Sequence, residues 1–105
     1  MNPIMIVCTT DSLELAQKIG AALVEMHEAA CVSIVPGVQS IYRWQGEIGN
    51  SQEWLLLIKT AAGLFESVRS RIHRLHTYDL PEVIALPIVA GDADYLKWLA
   101  AELNL

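Results

Sequence analysis

Charge is what this sequence has least of. Asp, Glu, Lys and Arg make up 18% of its 105 residues, against about 25% in an average globular protein. A small monomer has much surface to cover with polar groups, so the deficit points to apolar surface shared with other subunits. Basic residues are scarcest. Seven Lys and Arg face twelve Asp and Glu, for a net charge of -5 and a pI near 5.0. The seven are scattered, which excludes a nucleic-acid partner, whose phosphates call for clustered cations. No stretch approaches the roughly 20 apolar residues of a helical membrane span. Met1-Asn2-Pro3 has no charged n-region, and the apolar run Ile4–Val7 is too short for a signal peptide. Two cysteines without a leader read as thiols in a reducing cytoplasm. A Gly-rich phosphate loop and a nucleophile elbow are also missing, so a protein that is not an enzyme is expected.

What is present is 53% hydrophobic and of a size for one domain, residues 1–105. Its organising stretch is Cys31–Thr60, CVSIVPGVQSIYRWQGEIGNSQEWLLLIKT. β-branched and aromatic residues crowd both halves around Trp44-Gln45-Gly46-Glu47, the mark of a long hairpin with a tight link. Pro36-Gly37 interrupts the first arm as a bulge on an edge strand, because proline donates no ladder bond.

Before the hairpin, Ile4–Thr9 is a short strand apolar on both faces. Asp11 offers an N-cap for a helix whose apolar positions run from Leu13 to Met26. After the hairpin, Thr60 offers a cap for a second helix carrying Leu64, Val68, Ile72 and Leu75 on one face. His76–Pro81 breaks that helix, and Glu82–Val89 is a last strand with Pro87 at an edge or bulge. Asp92 caps a closing helix. The order β-α-β-β-α-β-α is the split βαβ plan: an α+β, ferredoxin-like βαββαβ sandwich with an added C-terminal helix. Right-handed crossovers put both main helices on one side of the sheet. Strands apolar on both faces then imply that the other side is buried against neighbouring subunits.

CVSIVPGVQSIYRWQGEI, EWLLLIKT, HTYDLPEVIALPI and GDADYLKWL resemble, in order and over nearly the whole chain, the CutA divalent-cation-tolerance family. Ser33 stands where many members have Asn, and Thr77 where they have Pro. The resemblance implies a homotrimer similar in architecture to the PII signalling proteins, with a role in tolerance of copper and other divalent metals. Tyr42, Arg43, Trp44 and Trp54 are then expected at the trimer interface. The alternative is a PII-like scaffold or sensor that takes a small metabolite or protein partner in inter-subunit clefts. An acylphosphatase-like enzyme is disfavoured, because Cys8–Asp11 lacks an Arg to hold a phosphate.

The topology puts Cys8–Thr10, the hairpin turn and His76–Asp79 at one end of the sheet and Cys31 at the other, so no Cys8–Cys31 disulfide is expected. A thiolate with an imidazole suits copper or zinc. Cys8 and His76 match positions of the family's proposed copper site; Leu75 stands where some members have a second His, and His73 is the available substitute. Against this, Cys8 in an apolar strand also reads as core, and His76 as a cation at a helix C-terminus. Glu47 and Glu53 read as solvated hairpin charges.

Overall fold

The computed structural model describes residues 1–105. Strand β1, Pro3–Thr10, alternates strictly: Ile4, Ile6, Cys8 and Thr10 are buried, and the intervening residues are half-buried. Helix α1, Leu13–Glu25, lies on the buried side and contributes Leu15, Ala16, Ile19 and Leu23. Its cap is Ser12 rather than the expected Asp11: Ser12 Oγ accepts from the Leu15 N–H at 3.1 Å. The Thr10 hydroxyl donates to the Ser12 carbonyl at 2.8 Å and fixes the turn one residue later than expected.

Strands β2, Cys31–Trp44, and β3, Glu47–Ala61, form the hairpin. Gln45 and Gly46 link them at φ 52° and 83°, the two positive values of a type I′ turn, which is why glycine sits there. Pairing runs from Cys31↔Lys59 to Val35↔Leu55, then resumes at Val38↔Glu53. Three steps on one strand against two on the other are the bulge expected at Pro36-Gly37.

Thr60 does not cap a helix. β3 stays paired with β1 as far as Pro3↔Ala61, and the Thr60 hydroxyl donates to the Glu28 carbonyl at 2.7 Å. A 3-10 turn, Ala62–Leu64, then leads into helix α2, Phe65–Leu75, with no side-chain cap. Strand β4 is also shorter than expected. It covers Ile84–Pro87 and pairs only with Ile4–Val7; Pro87, with no N–H, ends it. Helix α3, Ala93–Ala101, is capped by Asp92 as expected, whose Oδ2 accepts from the Tyr95 N–H at 3.0 Å.

The sheet order is β2-β3-β1-β4, antiparallel throughout, with the ferredoxin-like topology. α1 and α2 cover one face over a core of Ile6, Ile19, Leu23, Leu56, Ile58 and Ile72, each contributing roughly 1.5–3 kcal/mol by burial. α3 closes the lower edge, where Leu99 and Leu103 meet Ala30, Ala61 and Leu64. The other face of the sheet has no helix. β1 ends at Thr10↔Trp54, so the hairpin beyond Trp54 overhangs as two strands and stretches the molecule to 44 × 26 × 22 Å. No helix is long and apolar enough to cross a membrane.

Candidate functional site

The overhanging hairpin, the end of β1 and the segment between α2 and β4 enclose a cleft of about 930 Å³. Three hydrogen bonds hold its mouth. The Tyr78 N–H donates to His76 Nδ1 at 3.1 Å, and a backbone amide can only donate, so the ring proton sits on Nε2. Nε2–H then donates to the Thr9 carbonyl at 2.7 Å. The Tyr78 hydroxyl donates to Glu53 Oε2, also at 2.7 Å. Packing reinforces the bend, with the His76 and Tyr78 rings 4.5 Å apart. One short segment therefore ties the ends of β1 and α2 to the hairpin arm.

Glu53 is not a solvated hairpin charge. It is 6% exposed, set in β3 immediately before the apolar run Trp54–Ile58. Side chains alternate along a strand, so Gly49, Ser51 and Glu53 share a face. Tyr42 pairs with Gly49 across the ladder and donates to or accepts from the Ser51 hydroxyl at 2.7 Å. Glu82 projects its charge onto the same place: burial first, then the Glu53 carboxylate, holds its pKa above the usual range. Burial, the bond to Glu53 and the charges around it push the Tyr78 phenol up as well.

Cys8 and His76 do lie at one end of the sheet, as the topology predicts. Their chemistry there is closed. Cys8 is fully buried beneath the helices; burial, then Glu82 and Glu53, pushes its thiol up to about 12. At neutral pH it is a protonated core thiol, whereas a metal binds thiolate. Both His76 nitrogens are occupied by backbone partners. His73 is exposed on α2, and no three His, Cys, Asp or Glu side chains converge on a point where a metal ion could sit. As folded, these residues do not fit a metal.

Trp54 packs against the chain's own core, whereas Tyr42, Arg43 and Trp44 are exposed and line the cleft. Both cysteines are free. The sequence reading missed Glu53, Tyr78 and Glu82 as a group; the available signal was a single carboxylate abutting an apolar strand, and a second beside Pro81.

The chain matches the family model described as CutA1 divalent ion tolerance protein over residues 4–102. It is 50% identical over 95 residues to the divalent-cation tolerance protein CutA of Thermus thermophilus, covering 90% of this chain and 92% of that one. It is 43% identical to the chloroplastic protein CutA of Arabidopsis thaliana, covering 91% of this chain but 53% of the plant protein. The solved structure of the Thermus thermophilus divalent cation tolerance protein superposes with a TM-score of 0.95 at 47% identity, over 97% of this chain and 99% of that one. On fold, residues and extent of match, this chain belongs to the CutA1 divalent ion tolerance family.

Proposed function

We propose that this chain works as a homotrimer in divalent-cation tolerance, acting by exchangeable binding of copper or another divalent metal and not by catalysis. The observation that carries the assembly is the uncovered sheet face. Met5, Val7, Leu55 and Leu57 alternate with the helix-facing core, and Ile84 and Leu86 continue that surface across β4 at 53% and 45% exposure. An apolar face of this extent on so small a protein supports burial by further copies. Two free thiols support a reducing compartment such as the cytoplasm.

Cys8, His76 and His73 are the proposed metal contacts, and the fold sets a condition on them. The 76–82 segment must open, freeing His76 Nδ1 from Tyr78, and Cys8 must lose its proton. Binding of that kind is modest and exchangeable, and it weakens as pH falls because the ligands must give up their protons to the solvent. Light scattering after size exclusion tests the assembly, with about three chain masses expected from the family resemblance and the apolar face. Anaerobic calorimetric titration of Cu(I) and Cu(II) into wild type, Cys8→Ser and His76→Ala tests the contacts. Equal affinity in all three removes these residues as ligands.

A further inference from the structure

Several features of the hairpin change at one level. β1 gives its last support at Thr10↔Trp54. Opposite Trp54, β2 carries the bulge, with Pro36 and Gly37 lying between the Val35↔Leu55 and Val38↔Glu53 pairs. Gly37 takes φ 73° there, the left-handed backbone that glycine adopts at no steric cost. A bulge bends its strand and disrupts the ladder locally. This level is therefore a hinge, with the sheet on one side of it and a two-stranded arm, residues 38–53, on the other.

The segment after α2 spans that hinge. The His76 N–H donates to the Ile72 carbonyl at 2.8 Å and roots the segment in the helix. The His76 ring holds the Thr9 carbonyl, and Thr9 pairs with Leu55 on the sheet side. Two residues on, the Tyr78 hydroxyl holds Glu53, the first residue of β3 on the arm side of the bulge. The Tyr78 N–H on His76 Nδ1 and the packed rings make one unit of the two grips. No other side-chain hydrogen bond joins residues 38–53 to the rest of the chain, since the Tyr42–Ser51 bond lies within the arm. Glu53 is buried, so water competes little for its bond to Tyr78.

We infer that His76–Tyr78 is a brace across the bulge hinge, with Tyr78 as the positioning residue that fixes the angle of the hairpin arm to the sheet. The brace stands on one chain. Its consequence rests on the homotrimer reading: a braced arm meets the next copy already ordered, whereas an arm free to swing must first be ordered, which weakens assembly.

The experiment is amide hydrogen exchange of the assembled protein, with its scattering mass recorded on dilution. Tyr78→Phe keeps the ring against His76 and removes the grip. Glu53→Met keeps an unbranched side chain and removes the acceptor. In each, the amides of residues 38–53 should exchange about five- to tenfold faster, the loss of one hydrogen bond, while those of β1 and α1 keep wild-type rates. The double variant should be no faster than either single one, because both break the same bond. Glu53→Gln, whose amide oxygen can still accept from the phenol, should remain near wild type. The concentration at which the assembly dissociates should rise in Tyr78→Phe and Glu53→Met and not in Glu53→Gln. Arm exchange unchanged in Tyr78→Phe, or faster exchange spread equally over the arm, β1 and α1, overturns the brace. A loosened arm with unchanged dissociation overturns its consequence for assembly. A wild type that scatters as a single chain removes the assembly reading alone, and the exchange comparison still decides the brace.

Discussion

Glu82 is partly desolvated at the surface and faces the Glu53 carboxylate, and its folded-state pKa is raised accordingly. A raised acid holds its proton more tightly folded than unfolded. Its neutral form therefore favours the fold below the ordinary value of ~4.3, and that advantage is lost as pH rises through the folded value. Glu82→Gln should accordingly be more stable than wild type near neutral pH, with the gap closing as pH falls towards ~4. Urea midpoints for both proteins across that range check it; a gap independent of pH would remove the electrostatic cause. At this scale the sequence was least legible. Residue type alone places a glutamate in water, and only the β-ladder shows Glu53 brought beneath Tyr78. The Asp11 and Ser12 caps differ for the same reason: both side chains can cap, and the Thr10 hydroxyl bond selects Ser12.

At the scale of elements, the hairpin was the most legible part, because its period, tight turn and bulge are written in local residue types. Thr60 misled because a cap residue before an amphipathic run looks the same whether or not the strand continues. Pairing with β1 decided for the strand. One feature of the hairpin invites a direct test. Tyr42 lies flat over Gly49, where an added Cβ would stand 2.7 Å from the ring. Glycine here shields the strand with its cross-strand neighbour's ring, and the Tyr42–Ser51 hydroxyl bond depends on that posture. Gly49→Val should displace the ring and cost about 1–3 kcal/mol, the usual penalty of overpacking. Gly63→Ala, where a Cβ meets nothing within 4 Å, is the matched control. Equal denaturation midpoints for both variants would show that the ring is free to move.

The whole molecule leaves its largest features unresolved within one chain: an open apolar sheet face and a two-stranded arm reaching past the sheet. The arm exposes Ile41 at 75% and Ile48 at 70%, along with Tyr42 and Trp44. Two-stranded ribbons are marginal alone in water, yet β2 and β3 hold their register to the turn. Solvent contact over these residues is a poor end state for such an arm, and a second copy offers both an apolar face and the unpaired edge of β4. Tyr42 and Trp44 should be anchors of that contact, since stable interfaces concentrate energy in a few aromatic residues. Trp44→Ala should therefore weaken assembly by ~2 kcal/mol or more, the threshold of an interface hot spot. The change should appear as dissociation at lower denaturant and a dependence of the midpoint on protein concentration, with the helix signal of the separated chain retained longer than the assembled mass. Trp98, on α3 and equally exposed at 43%, provides the comparison: if Trp98→Ala shifts dissociation as far as Trp44→Ala does, the hairpin has no special part in holding the copies together.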